Sequence, residues 1–229
     1  MTTPGNGISG YEPVKLNLGC GDSIIRGWVN VDYAVGARFA KIPLFGWVNR
    51  RLKLFDISWD RNIVLHDLSK PFPWRTGSVD VIYSSHFLEH LSREEGRFFL
   101  RESSRVLRSE GIIRIVVPDL AFFVGEYLGQ RISADDFLLR LDVLYTQGNN
   151  RLKNKLAPFI QFPHRCMYDS AALLTACREV GFVVQLRNPM ESDIVDISVI
   201  EQSGRTDHAV VVEGRKEAVI RTNSGNHPL

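Results

Sequence analysis

The chain has 229 residues, of which 44% are hydrophobic and 24% charged, a composition that suits one globular domain with a real core. Its formal net charge of +2 lacks the basic excess of a nucleic-acid binder, so we expect no nucleic-acid partner. The three spaced cysteines match no disulfide or zinc pattern, and without a signal peptide or membrane-length apolar run we expect a cytoplasmic protein with no stable membrane insertion.

The first two predicted strands are short and end in residues that suit a nucleotide. Val14 to Leu18 runs into a turn that contains Gly19, Cys20 and Gly21, and Trp28 to Asp32 ends in an acid. Glycines at that point let the backbone approach a ligand where a side chain would collide. An acid at the end of the second strand suits the two hydroxyls of a ribose. Only a very short helix, at residues 23–26, fits between the strands.

Residues 34–60 form a basic and aromatic insertion before strands resume at 62–66 and 79–84. Its stretch 38–55 has three interpretations: a lid over the acceptor, a contact in a homodimer, or an interfacial membrane helix, which we rank last. The third strand leads to Asp67 and Leu68. An acid there suits the adenine amino group, and the Leu68 N–H suits a ring nitrogen.

Helices and strands alternate through the second half of the chain. We predict an amphipathic helix at 93–107 with Gly111 as its C-cap, a buried strand at 112–117, and helix over 120–145 with a cap at Ser133. A helix at 169–180 and strands at 182–186, 197–201 and 208–213 complete the pattern. The alternation predicts an α/β fold, with a mostly parallel sheet covered by helices on both faces and an antiparallel hairpin at its edge.

A nicotinamide cofactor would also use a glycine turn, but the spacing disagrees with its fingerprint. That fingerprint needs a third glycine and an acid about 20 residues further on, whereas no glycine stands three positions after Gly21 and Asp32 arrives early. A nicotinamide oxidoreductase is therefore the last of the alternatives.

Over residues 15–182 the sequence resembles the class I S-adenosylmethionine-dependent methyltransferases, and in particular a small subgroup found with glycan biosynthesis. The matching segments are Leu18-Gly19-Cys20-Gly21, Gly27-Trp28-Val29-Asn30-Val31-Asp32, His86-Phe87-Leu88-Glu89-His90-Leu91, Arg105-Val106-Leu107, Val117-Pro118-Asp119 and His164-Arg165-Cys166-Met167-Tyr168-Asp169. The resemblance implies a Rossmann-like, seven-stranded sheet with a C-terminal antiparallel strand. It defines a domain at 11–214 with lid-like insertions near 34–60 and 120–165, between flexible tails at 1–10 and 215–229.

The resemblance also assigns the cofactor site. It implies that Gly19, Cys20 and Gly21 line the methionyl part of S-adenosylmethionine and that Asp32 holds the ribose. Asp67 and Leu68 would hold the adenine. Ser84 and His86, at the end of the fourth strand, would lie near the transferred methyl group.

Methyl transfer to an alcohol needs a proton acceptor, and histidine has a suitable pKa. His86 follows the fourth strand and His164 lies in a loop that would fold over the cleft, so both are candidates for base and orienting group, with Glu89 as a third catalytic candidate. If Phe87 begins a helix, Glu89 and His90 point to different faces and only one faces the cleft. Asp119, Glu89 and His164 are candidate ligands for a magnesium ion.

The residues after the fourth strand narrow the class of acceptor. Enzymes that methylate amino groups of nucleic-acid bases carry Asn/Asp-Pro-Pro-aromatic there, whereas this chain has Ser84-Ser85-His86-Phe87. We expect a carbohydrate acceptor, as in a mycobacterial-type enzyme that modifies a methylated mannose polysaccharide. Candidate sugar-stacking rings are Trp47, Tyr127, Tyr145, Phe159, Phe162 and Tyr168. The alternatives are a lipid or quinone-like hydroxyl as acceptor, and a non-catalytic nucleotide-binding scaffold.

Overall fold

The computed structural model of the protein describes residues 11–42, 47, 51, 60–144 and 162–217. The predicted tail at 1–10 and most of the predicted tail at 215–229 lie outside these residues. So do parts of the two predicted insertions, at 43–46, 48–50, 52–59 and 145–161.

The core of the protein is one seven-stranded sheet with the strand order β3-β2-β1-β4-β5-β7-β6. The strands are β1 (Lys15–Leu18), β2 (Val29–Asp32), β3 (Val64–Leu65), β4 (Val79–Ser85), β5 (Leu107–Pro118), β6 (Phe182–Leu186) and β7 (Ala209–Lys216). β7 pairs antiparallel with both β5 and β6, and the pairs on the other side of β5 are all parallel. The predicted α/β sheet with a C-terminal antiparallel strand is confirmed, and the order reverses beside β1, where open parallel sheets bind ligands.

The helices are α1 (Val35–Ala40), α2 (Arg93–Val106), α3 (Leu120–Leu128), α4 (Ala134–Leu141), α5 (Ser170–Arg178), α6 (Ile197–Ile200) and α7 (Ser203–Thr206). The start of α2 is fixed by a capping box, in which Ser92 and Glu95 each bond the other's backbone N–H. Ser133 caps α4 as predicted, because its side chain accepts from the Asp136 N–H. None of the described helices has the length and apolar character needed to cross a membrane.

Alternation along β5 divides the interior into two apolar clusters, one on each face of the sheet. Ile113, Ile115 and Val117 face the larger cluster, which α2 and α5 cover with residues such as Phe99 and Leu173. Val116 faces the smaller cluster, which includes Trp28 and, from the segment before β7, Ile194, Ile197 and Ile200. The expectation of cover on both faces is therefore confirmed.

Two predicted elements near the ends of the chain are wrong. Residues 23–26 are irregular rather than helical, because the buried Asn30 side chain accepts from the Ile25 N–H at 3.0 Å and donates to the Ile25 carbonyl at 2.9 Å. Residues 197–201 are not a strand but contain α6, whose buried Ile197 and Ile200 lie three positions apart on one helical face. The expected edge hairpin is also wrong, since β7 enters the interior of the sheet and leaves β6 at the edge.

The predicted role of Gly111 is wrong as well. α2 ends at Val106 and the chain passes directly into β5 at Leu107, so no glycine cap is used. Gly111 instead lies inside β5, where a Cβ would come within 2.9 Å of the Arg108 carbonyl. At the other end, β7 extends to Lys216, two residues past the predicted domain boundary at 214.

Candidate functional site

The turn after β1 is the first part of the candidate site. Gly19 and Gly21 adopt φ angles of 71° and 56°, in the left-handed region that favours glycine. The Asp32 carboxylate fixes this turn, because Oδ2 accepts from the Gly21 N–H at 2.8 Å and Oδ1 from the Ala34 N–H at 2.6 Å. A carboxylate has about four acceptor positions, so Asp32 keeps capacity for further donors.

The space around the two glycines differs. A Cβ on Gly21 would meet no atom within 4 Å, which leaves room above the backbone for a ligand. A Cβ on Gly19 would lie 2.4 Å from Cγ of Phe87. The glycine turn therefore contacts the segment after β4, and the two halves of the predicted site lie together.

Asp67 and Leu68 follow β3 at the same edge of the sheet. Oδ1 of Asp67 accepts from the Ser69 N–H at 3.0 Å and the Ser69 hydroxyl at 2.6 Å. Burial raises the pKa of Asp67, but the bonds from Ser69 outweigh it, and the net pKa lies below its ordinary value. Leu68 packs its side chain in the core, and its N–H has no partner within the described part of the chain.

His86 stands directly after β4 in a strained conformation, with a φ of 52°. Its Nε2 lies 2.7 Å from the Arg205 carbonyl, to which only a protonated nitrogen can donate, and its Nδ1 lies 3.4 Å from Glu89 Oε1. Burial lowers the pKa of His86, but the Glu89 carboxylate and the Arg205 carbonyl outweigh it and raise the pKa above its ordinary value. Both ring nitrogens therefore face protein acceptors.

Glu89 lies at the centre of the site. The side chain is fully buried, and among the described residues neither carboxylate oxygen has a hydrogen-bond partner. The Glu89 carbonyl accepts from the Arg165 and Cys166 N–H groups at 2.8 and 3.0 Å, which brings the segment containing His164 against it.

The His164 ring also lies near the Glu89 side chain. Nδ1 of His164 donates to the Leu141 carbonyl at 2.8 Å, so Nε2 carries the lone pair in the neutral ring and lies 3.8 Å from Glu89 Oε1. Burial dominates over the attraction of Glu89 and lowers the pKa of His164. The predicted catalytic residues His86, Glu89 and His164 thus form one group.

The place of His90 in this group was not predicted correctly from the sequence. Residues 88–90 form one short 3-10 turn rather than the start of an α-helix. The His90 ring packs edge-on to His164 with ring centroids 4.9 Å apart, and its Nδ1 is buried without a described partner. The α-helix on which the separation of Glu89 and His90 depended does not form, and both residues lie beside His164.

The magnesium site expected at Asp119, Glu89 and His164 is not supported. Asp119 caps α3, with Oδ1 accepting from the Ala121 N–H at 2.9 Å, and it does not belong to the metal-capable group of the described residues. That group is Glu89, His90 and His164, in which two of three donors are nitrogen, whereas Mg²⁺ prefers oxygen ligands.

The remaining predicted residues divide by exposure. Ser84 and Cys20 are buried, and the Ser84 hydroxyl has no partner in the described ranges. Tyr168, a candidate sugar-stacking ring, is 3% exposed with Arg93 over its face, so it is a core residue. Trp47, Tyr127 and Phe162 are exposed; Tyr145 and Phe159 lie outside the described residues.

Two buried asparagines support the glycine turn and were missed from sequence. Asn17 on β1 donates to Asn30 on β2 at 3.0 Å and to the Ser23 carbonyl at 2.9 Å. The only signal for them was a polar residue at the same depth in two neighbouring apolar strands, where a buried amide needs a partner.

Comparison with known proteins agrees with this geometry. Residues 16–115 match a family model described as a methyltransferase domain, and no curated protein matches the chain.

Solved structures with similar folds include the complex between the Haloferax volcanii Trm112 methyltransferase activator and a putative methyltransferase (TM-score 0.47, 14% identity, 90% of this chain and 84% of that chain). A Thermotoga maritima methyltransferase described as a possible histamine N-methyltransferase gives a TM-score of 0.44 at 17% identity, over 90% of this chain and 83% of that one. Human N-acetylserotonin methyltransferase with S-adenosylmethionine gives 0.43 at 14% identity, over 90% and 48%. These distant likenesses carry no information about the acceptor.

The match begins in β1, the strand that leads into the glycine turn, and the sheet has an antiparallel seventh strand. Residues 16–115 therefore match a methyltransferase domain, and the general activity of the protein is that of an S-adenosylmethionine-dependent methyltransferase.

Proposed function

We propose that the protein is an O-methyltransferase that acts on a sugar hydroxyl of an oligo- or polysaccharide. The observation that carries the proposal is the fully buried Glu89 carboxylate between two histidines, on a segment that contacts the glycine turn through Phe87. An alcohol is a poor nucleophile at neutral pH, so its methylation needs a group that takes the hydroxyl proton. Such a group stands here beside the cofactor turn.

The cofactor residues suit S-adenosylmethionine, because the open space above Gly21 would accept its methionyl part. Asp32 would receive the ribose hydroxyls. Asp67 would receive the adenine together with the Leu68 N–H, which has no partner among the described residues. When bound, the cofactor supplies a methyl group on a positively charged sulfur.

The two histidines differ in what they offer to an acceptor. His86 directs both nitrogens to protein atoms, so it orients Glu89 rather than taking a proton. His164 presents the unprotonated Nε2, which lies 3.8 Å from Glu89 Oε1 and 4.0 Å from Asp142 Oδ2. His164 is therefore the proton acceptor of the pair, and Glu89 would stabilise the imidazolium that forms.

The sugar class rests on the segment after β4 and on exposed rings. The run Ser84 to Phe87 lacks the Asn/Asp-Pro-Pro-aromatic pattern of enzymes that methylate amino groups of bases. Trp47 and Phe162, in the two insertions, are 60% and 48% exposed and offer flat surfaces for sugar rings. A methylated mannoside is the specific acceptor that we favour.

A lipid or quinone-like hydroxyl is the second candidate acceptor, because the α3–α4 region exposes apolar surface. Leu128, Leu139 and Leu144 are 73%, 66% and 58% exposed. These exposed apolar side chains would be available to pack against an apolar acceptor.

We expect S-adenosylhomocysteine to bind in a calorimetric titration and NAD to give no heat. Transfer of labelled methyl to a panel of mannosides, glucosides and quinols should label the mannosides. Labelling of quinols alone would replace the sugar with the second candidate, and failure to bind S-adenosylhomocysteine would leave only a scaffold role.

We expect His164→Ala to lower kcat by about 10²–10⁴-fold, the usual contribution of a positioned base. His86→Ala should also lower turnover, because Glu89 loses the ring that orients it. Calorimetry should show unchanged affinity for S-adenosylhomocysteine in both variants, since neither ring supports the glycine turn. Full activity in both would remove histidine from proton transfer.

A further inference from the structure

The Glu89 carboxylate is in an environment that a lone carboxylate rarely occupies. It is 0% exposed, and both oxygens are without a hydrogen-bond partner among the described residues. Burial of an ionised group is costly unless the group is paired, hydrogen-bonded or bound to a metal. Both near imidazoles, His86 at 3.4 Å and His164 at 3.8 Å, face Oε1, so a bound cation would offset more of the cost of burying this carboxylate.

A second buried group faces the same place. Nδ1 of His90 has no partner in the described ranges, although it is shielded from solvent. A buried ring nitrogen normally has a donor, an acceptor or a metal beside it. This observation is independent of Glu89, because it concerns a different side chain.

The third group is already arranged as metal-binding histidines usually are. Nδ1–H of His164 donates to the Leu141 carbonyl at 2.8 Å, which fixes the tautomer and directs the Nε2 lone pair toward Glu89. Histidine ligands almost always donate their other N–H to a carbonyl or carboxylate in this way.

We propose that Glu89, His90 and His164 bind one divalent transition-metal ion of the cobalt-to-zinc group. One ligand atom from each lies within 4.8 Å of the other two, a spread that small side-chain movements reduce to a coordination sphere. Imidazole nitrogen with one carboxylate oxygen suits these ions and disfavours magnesium or calcium. Three protein ligands leave a coordination position open, as in catalytic rather than structural sites.

This site deepens the proposed function but does not depend on it for binding. With the ion present, the His164 lone pair would be occupied, so His164 would act as a ligand in place of the proton-acceptor role that it has without the ion. The ion would then hold the acceptor hydroxyl at its open position and make that hydroxyl more acidic. His86, whose Nδ1 lies 3.4 Å from Glu89 Oε1, would then support the carboxylate as an outer partner.

The test is a titration of the full, tag-free chain with cobalt(II), followed by visible absorption and by calorimetry. We expect one equivalent to bind with the intense bands of a four- or five-coordinate nitrogen-ligated ion. Glu89→Gln and His90→Asn should each weaken binding by at least about 100-fold, since loss of an outer partner alone costs 10–100-fold. Glu179→Gln, the same change at an exposed carboxylate that pairs with Arg97 on the surface, should bind as the unmodified chain does.

Binding of S-adenosylhomocysteine is measured on every variant, so that a variant that fails to fold is distinguished from one that has lost only the metal site. Absence of saturable cobalt binding in a chain that binds S-adenosylhomocysteine would overturn the metal site and leave the methyltransferase proposal intact. Equal cobalt affinity in Glu89→Gln and the unmodified chain would overturn it too. Tight cobalt binding without methyl transfer to any alcohol would support the site and count against the proposed function alone.

Discussion

Arg114→Met should unfold the protein at a markedly lower urea concentration, with a loss of about 3–5 kcal/mol in the free energy of unfolding. Arg114 is fully buried and bonds Glu201 through two nitrogens at 2.8 and 2.7 Å and Glu213 through a third at 3.0 Å. Removing the guanidinium would leave the buried Glu201 carboxylate without a counter-charge among the described residues. Glu213 would keep only Arg187, whose Nε lies 3.7 Å from Glu213 Oε1. It would also release the Asn188 and Glu191 carbonyls that Arg114 holds.

A triple variant separates charge from packing in this effect. Adding Glu201→Gln and Glu213→Gln to Arg114→Met removes the stranded charges, and we expect part of the lost stability to return. Asp193→Asn, at an exposed acid that pairs with Arg187 and Arg215, is a surface control that should change stability by under about 1 kcal/mol. A loss below about 1 kcal/mol for Arg114→Met would contradict a stabilising role for the buried pairs.

Arg114 also explains why part of the fold was hidden from the sequence. The apolar run 112–117 predicts a buried strand correctly. The charged Arg114 inside that run can be buried only because it pairs with Glu201, and the sequence does not indicate this partner, which stands 87 residues further along the chain. The pattern of residues 197–201 predicts a strand where the structure has helix α6. The bonds from Arg114 to Glu201, the residue directly after α6, hold that helix over the sheet. Helix and strand propensities depend on neighbouring residues and do not predict such long-range bonds.

The cofactor edge, by contrast, follows from local rules. Gly19 follows β1, Asp32 ends β2 and Asp67 follows β3. Because these strands are parallel, all three residues lie at the same edge of the sheet. The histidine group was only partly predictable. His86 and His164 follow from position, whereas His90 joins them because residues 88–90 form a 3-10 turn, a choice set by packing against the 164–166 segment.

Gly21→Ala should abolish most cofactor affinity while the fold survives. The new methyl group would meet no protein atom within 4 Å, so its cost to stability is the left-handed backbone alone, about 1–2 kcal/mol. It would stand in the space proposed for the methionyl part of the cofactor. Calorimetry should show S-adenosylhomocysteine affinity reduced by about 10-fold or more, equivalent to at least ~1.4 kcal/mol.

Gly19→Ala is the matched comparison, because the same methyl group there collides with the protein itself. Its Cβ would lie 2.5 Å from Cδ2 of the Phe87 ring and 2.6 Å from Phe87 Cβ, which is too near the backbone to swing aside. Overpacking of this kind costs about 1–3 kcal/mol, to which the left-handed φ adds about 1–2 kcal/mol, so Gly19→Ala should melt well below Gly21→Ala. The two variants thus distinguish a glycine required by the fold from one required by the ligand. If Gly21→Ala bound S-adenosylhomocysteine normally, the space above Gly21 would not be the cofactor site, and the contact between the turn and Phe87 would be structural only.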